Sequence, residues 1–243
     1  QKPPNITEAE AALSKVQERI YRDPELLLSR AGVRRARNNG AESRRDVIAS
    51  MKLVPPDQIG QMQTWFSSAF SLFGPQELLM MLEVLSKEGG NPDWVSFFHG
   101  RLLADDKDPK LQAAGIEEIG RIGKTTKIAP LAALASKEAA GRLYLTGQLE
   151  AASKAMKDII AADPTDAETM NNLAYLLCKD LKQPKDALPY AKQAYQLRPK
   201  SPELLDTYGL VLMETGDLAE AQRVFDKASM IAATPSTQVT ILL

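Results

Sequence analysis

Apolar residues recur along this chain at helical spacing, and the alternation of β-branched and polar residues that marks a strand is almost absent. Ala, Leu, Glu, Lys, Gln and Arg dominate the chain, all good helix formers. Gly and Pro fall at intervals between these stretches and read as punctuation. The pattern predicts an all-α chain.

The strongest periodicity lies in 133–235. Segments 133–166 and 202–235 are each 34 residues long, and the middle segment, 167–201, has one extra residue near its turn. Each is predicted to split into two helices. Gly147 and Gly216 stand at the turn between them, and Pro164 and Pro199 are placed to end the second helices, because proline cannot continue a helix interior. A tiny residue recurs in the first helix at Ala140, Ala174 and Gly209, preceded by Ala139, Leu173 and Tyr208. In the second helix a small residue recurs at Ala152, Ala187 and Ala221, then Met156, Ala191 and Phe225, then Ile159, Ala194 and Ala228. Two antiparallel helices approach closely only where side chains are tiny, and a large residue on one helix fills the space beside a tiny one on the other.

These residues resemble the tetratricopeptide repeat, whose period is 34 and whose signature is small and large residues at fixed offsets. Ile159 stands where the family has Ala, and Ala233 where it has the terminal proline, with Pro235 nearby. The resemblance implies an α-α superhelix of six or seven stacked hairpins, right-handed, because one hairpin leaves an apolar face open that the next covers. The runs NNLAYLL, LDTYGLVL and YAKQAYQLRPKSPE are similar to those of bacterial tetratricopeptide proteins, including ones tied to envelope and exopolysaccharide systems.

The first 132 residues are less regular. Residues 7–25 read as a lone second helix. Hairpins are predicted over 24–57 with a turn at Asn38-Asn39-Gly40, over 57–90 with a turn at Gly74-Pro75, and over 91–124. The second helix of the last hairpin also resembles a HEAT-type helix. This half is either divergent tetratricopeptide hairpins or a distinct helical array. No Ser/Gly-rich linker separates 1–132 from 133–243, so one continuous superhelix is expected.

Composition narrows the chemistry. The net charge is −1 and the pI about 6.0, which argues against a general nucleic-acid binder. One cysteine and one histidine exclude an intramolecular disulfide, a cysteine-based zinc site and a multi-histidine metal site. GKTT at 123–126 lacks the earlier glycine and the preceding strand of a phosphate-binding loop and reads as a helix end. His99 has no companion motif, and Cys178 reads as a small buried or groove-lining thiol. No catalytic constellation is visible, so the chain is expected to be no enzyme and to use no cofactor or metal. Asn5-Ile6-Thr7 matches a glycosylation sequon. No apolar run approaches bilayer length, and the compartment stays open between cytoplasm and periplasm. The chain starts without Met and stops inside TQVTILL, so both ends are expected to be cut from something longer.

Two clusters stand out in the N-terminal half. Arg30, Arg34 and Arg37 fall on one helical face, a solvated surface or a docking patch for an acidic partner or phosphates. Trp65, Phe66, Phe70 and Phe73 sit at helical spacing, either core between hairpins or an exposed apolar partner surface.

The resemblance implies that the first helices line a concave groove. It places Lys137, Glu138, Gly141 and Tyr144 there from the first repeat, Asn172, Tyr175, Cys178 and Lys179 from the middle one, and Asp206, Thr207, Leu210 and Met213 from the last. In the family, an asparagine where Asn172 stands often holds a bound peptide backbone, since an amide offers donors and an acceptor together. Glu203 and Asp206 argue against a carboxylate clamp. The implied function is a non-enzymatic scaffold or adaptor that binds a protein or peptide, of no particular identity, in the groove. The competing reading is a spacer or assembly region of a larger bacterial enzyme or of an envelope or exopolysaccharide secretion machine. Self-association through the terminal hairpins is a third option.

Overall fold

A computed structural model describes residues 6–232. Asn5 of the sequon, Ala233, Pro235 and the run TQVTILL lie outside the described residues. The described chain is helical, with no strand among the described residues. The described residues divide into two compact units, with the boundary between Ala135 and Ser136.

The first unit contains α1 (Ile6–Ser14), α2 (Gln17–Ile20), α3 (Pro24–Ala36), α4 (Gly40–Leu53), α5 (Ile59–Lys87), α6 (Pro92–Ala104) and α7 (Pro109–Thr125). The unit boundary falls inside α8 (Ala129–Leu145). Helix starts follow one local rule. Asp23, Asn91 and Asp108 each precede a proline, and each carboxylate or amide oxygen accepts backbone N–H groups of the first turn. Proline suits that position because its missing N–H would have no partner there anyway. The turn at Asn38-Asn39-Gly40 separates α3 from α4 as expected, and 91–124 folds as the α6–α7 hairpin. Residues 7–25 give α1 and α2 in place of the single helix expected.

Over 57–90 the chain forms two helical segments that meet at Gly74-Pro75, the position expected for the turn. The helix is interrupted at Gly74, whose φ of 74° and ψ of 177° lie outside the helical range and are adopted without strain only by glycine, so that α5 is two helical segments, 59–73 and 75–87. Pro75 follows directly, where its missing N–H is tolerated as the opening of a new helical segment.

The aromatic cluster is the core of this unit. Trp65, Trp94, Phe97 and Phe98 are fully buried, and Phe66 and Phe73 nearly so. Phe66 stacks on Phe98 with centroids 4.6 Å apart, and Trp94 meets Phe97 edge-on at 5.6 Å. The indole N–H of Trp65 donates to the Val47 carbonyl and that of Trp94 to the Pro56 carbonyl, so burial leaves neither polar handle unpaired. Phe70 is the exception, 43% exposed.

α6 and α7 approach each other closely. A Cβ built on Gly115 would overlap the backbone nitrogen of Ala104 and the carbonyl oxygen of Gly100. Glycine at both 100 and 115 lets the two backbones touch. Ile116, Ile119 and Ile122 are buried along the same helix.

The second unit contains the rest of α8, then α9 (Leu149–Ala162), α10 (Ala167–Tyr175), a π-helical turn (Leu176–Asp180), α11 (Pro184–Leu197), α12 (Pro202–Thr215) and α13 (Leu218–Ala232). Second helices stop two residues short of Pro164 and Pro199. The large–tiny packing is visible in the last hairpin, where Gly209 faces the ring of Phe225 and an added Cβ would come within 2.7 Å of it. Ala140, Ala152, Ala174, Ala187, Ala191 and Ala221 are buried in one core with Leu173 and Tyr208.

The extra residue of the middle repeat is inside its first helix, not in the turn. Ala140–Gly147 and Gly209–Gly216 span seven residues, while Ala174–Lys182 spans eight. The π-helical turn absorbs the difference, with Leu181 N–H donating to the Leu176 carbonyl at 3.0 Å. A single added residue is what such a turn accommodates. Lys182 then takes the left-handed position, φ 57°, that Gly147 and Gly216 hold in the neighbouring repeats. A Cβ in that region costs about 1–2 kcal/mol. Lys182→Gly is therefore expected to raise stability by roughly 0.5–1 kcal/mol, since glycine also loses more entropy on folding. A shift of the urea midpoint to higher concentration is the result to look for, and an unchanged or lower midpoint counts against strain at Lys182.

Candidate functional site

The first helices of the second unit are α8, α10 and α12. Spacing puts Lys137, Gly141 and Tyr144 on one stripe of α8, and Asn172 and Tyr175 on one stripe of α10 that continues to Lys179 in the π-helical turn. Asp206, Leu210 and Met213 share a stripe of α12. Three cross-helix contacts hold these stripes side by side. Lys137 Nζ lies 2.7 Å from Asp166 Oδ2, the Tyr144 hydroxyl donates to Asp180, and Lys179 Nζ reaches Glu214 Oε1 at 3.3 Å. Glu138 is engaged within α8 by Arg142 at 3.0 Å.

Between these contacts the stripes are open. Tyr175 and Met213 are 43% and 44% exposed. Asn172 and Asp206 are exposed, and Leu210 is half-buried. A Cβ on Gly141 would meet nothing within 4 Å, so the surface above it is free. Two residues placed in the groove by resemblance are not there. Cys178 is 3% exposed and Thr207 7%. Cys178 lies in the π-helical turn, which advances fewer degrees per residue than an α-helix, and so points into the core with Leu176 and Leu177. Burial pushes its thiol pKa up, with the Glu214 carboxylate acting in the same direction. A raised pKa makes it an unreactive thiol.

Asp166 was not among the residues singled out from sequence, yet it organises one edge of the site. It is the N-cap of α10, accepting the N–H and the hydroxyl of Thr169 as well as the Lys137 ammonium. Asp-x-x-Thr ahead of an apolar run is the signal that could have found it. Burial alone would raise its pKa, but the Lys137 ammonium and the two Thr169 donors outweigh that and hold it below the ordinary carboxylate value. A depressed folded pKa stabilises the fold at all pH above the unfolded value, about 3.9, and the contribution disappears as pH falls through the folded value. Asp166→Asn is thus expected to flatten the acid side of the stability–pH curve below about pH 4. Urea midpoints measured across that range check it, and parallel curves for both proteins would show that Asp166 carries no such linkage.

The tyrosine of the first repeat is set similarly. Burial and then the hydrogen bond to Asp180 raise the Tyr144 pKa, so the hydroxyl remains a donor at neutral pH.

The arginine cluster of the first unit is already engaged by the chain's own acids. Arg30 makes a two-pronged pair with Asp46 at 2.7 and 2.9 Å, and Arg34 reaches the same carboxylate at 2.8 Å. Arg37 pairs with Glu10, while Arg35 and Arg44 share Glu77. Asp46 is 3% exposed. His99, elsewhere in the unit, pairs with Glu118 at 2.7 Å, and GKTT closes α7, with the Thr126 hydroxyl donating to Asp93. No described helix is long and apolar enough to cross a membrane.

Comparison with known proteins bears on the fold. Residues 180–240 match the tetratricopeptide repeat family. No curated protein matches the chain in sequence. Among solved structures, the chain is similar to MamA from Desulfovibrio magneticus RS-1, with 18% identity over 73% of this chain and 96% of that one and a TM-score of 0.54. A MamA RS-1 double mutant gives 18% identity, 73% and 95% coverage and a TM-score of 0.55. MamA AMB-1 gives 17%, 75%, 96% and 0.54. Identities this low show a shared fold, and the match spans more of the chain than the residues from 136 onward supply. Repeat spacing, buried tiny residues and these likenesses together make this chain an all-α helical-repeat protein of the tetratricopeptide type.

Proposed function

We propose that the second unit is a non-enzymatic scaffold that holds a segment of another protein, or a peptide, along the aligned stripes of α8, α10 and α12. The observation that carries this reading is the exposure of Tyr175 and Met213 on stripes that cross-helix contacts hold in register. Neither side chain belongs to the buried core, and the two lie on helices that pack against each other rather than scattered singly. Asn172, exposed between them, offers the donors and acceptor that an extended backbone takes. Gly141 leaves room for the bound chain to pass.

The test is selection of a displayed library of random nonapeptides on the full chain. Enriched peptides are expected to lose about tenfold or more in affinity on Asn172→Ala with Tyr175→Ala, by removal of one backbone contact and one aromatic contact. Gly141→Trp, which grows a side chain into open space without touching the core, is expected to block the same peptides. Peptides that bind wild type and both variants equally would remove these stripes as the binding surface.

A further inference from the structure

The unpaired charge on these stripes is all negative. α12 carries Glu203, Asp206 and Glu214 and has no Lys, Arg or His. Glu214 is engaged by Lys179, and Glu203 accepts the Ser201 hydroxyl at 2.6 Å. Asp206 is exposed and has no ion-pair partner among the described residues, and the same holds for Glu168 on α10. The cations on the same surface are already taken: Lys137 by Asp166, Arg142 by Glu138, Lys179 by Glu214. Glu168 and Glu203 lie in first helical turns, where a carboxylate also favours the helix dipole. Asp206 lies beyond the first turn, where that effect has faded, so the dipole does not account for it.

The stripe on α12 is ordered. Asp206 stands toward its N-terminal end and Met213 toward its C-terminal end, with Leu210 between. On α10, Glu168 precedes Asn172 and Tyr175 in the same direction. Carboxylates therefore collect toward one end of the surface and apolar groups toward the other. From Asp206 to Met213 the helix rises about 10 Å, at about 1.5 Å per residue. An extended chain covers that in about three residues.

Resting on the groove reading above, we propose that the occupant is an extended peptide with a Lys or Arg about three positions from a large apolar residue. The cation lies between Asp206 and Glu168, and the apolar side chain packs on Tyr175 and Met213. Asn172 takes the backbone between them. An acidic segment is disfavoured because no free cation on these stripes would meet it.

Sequencing the nonapeptides enriched on the full chain tests this directly. The expected result is a shared Lys or Arg at that spacing from Leu, Met, Phe or a similar residue. Affinity of the best peptide is expected to fall about five- to tenfold with Glu168→Gln plus Asp206→Asn, and to weaken as salt rises from 50 to 300 mM. Enriched peptides that lack Lys and Arg, yet depend on Asn172 and Tyr175, would overturn the charge inference and leave the groove reading standing. Peptides indifferent to Asn172 and Tyr175, or no enrichment at all, would overturn both.

Discussion

Replacing Gly115 by alanine is expected to destabilise the first unit by about 3 kcal/mol, as for other overpacking substitutions, and this is the largest single-methyl effect foreseen in the chain. The sign is not obvious from sequence. Alanine is favoured over glycine in a helix interior by about 1 kcal/mol, so local propensity predicts the opposite. The reason it loses is the identity of the neighbours. The new Cβ would meet the Ala104 nitrogen, the Gly100 carbonyl oxygen and, at 2.9 Å, the Ala104 Cα. These are backbone atoms of α6 and cannot rotate away as a side-chain tip could. The two helices must separate, which loosens the packing of Ile116, Ile119 and Ile122. Gly60→Ala provides the control, since nothing lies within 4 Å of a Cβ there. It is expected to be neutral or slightly stabilising. Urea denaturation of both variants reads the difference, and a Gly115→Ala midpoint at or above wild type would refute the close approach of α6 and α7.

Asp46→Ala is expected to cost about 2–4 kcal/mol, because it leaves Arg30 without its anion and Arg34 with only the longer contact to Glu42, at 3.6 Å. Arg30 and Arg34 converge on this one carboxylate from α3, and their side chains are only 15% and 28% exposed. Solvent compensates Arg34 better than Arg30, which keeps the estimate below that for a fully buried pair. The loss reflects stranded charge more than the worth of the bridge. Asp46→Leu combined with Arg30→Met and Arg34→Met is therefore expected to recover much of the stability lost in the single variant. Thermal and urea unfolding of the single and triple variants measure it. Equal destabilisation in both would mean that the site depends on the ion pairs themselves.

This network also explains why the basic cluster looked different in sequence. Asp46 is one residue past Arg45, but Glu77 and Glu10 are more than thirty and twenty residues from the arginines they meet. Only packing of α1 and α5 against α3 and α4 brings them in. A one-dimensional charge count sees a basic stretch, whereas the folded surface has these arginines paired.

The repeat half was legible for the opposite reason. Its tiny residues, Ala140, Ala174 and Gly209, recur at a spacing set by hairpin length, and each is needed wherever two helices touch. Such local, repeated constraints appear directly in sequence. The stripes on the first helices follow from the same register, and Asn172, Tyr175 and Met213 are exposed on them. The two misplacements, Cys178 and Thr207, have different origins. Cys178 follows an inserted residue that shifts the helical phase, and the sequence shows its existence but not whether helix or turn absorbs it. Thr207 lies in α12, which packs beside α10, and is buried.

By itself, then, the amino-acid order determined the all-α class, the hairpin period, most helix ends and which face of each first helix is apolar core. These depend on contacts within about one repeat. The tertiary structure decided the rest: the π-helical turn, the backbone contact at Gly115, and the carboxylate partners of the arginines. It also decided which charges on these stripes remain free, since Lys137 and Lys179 are neutralised by residues of neighbouring helices while Asp206 and Glu168 are not. Helical periodicity fixes the direction in which a side chain points, but its electrostatic partner depends on which helix folding places opposite it.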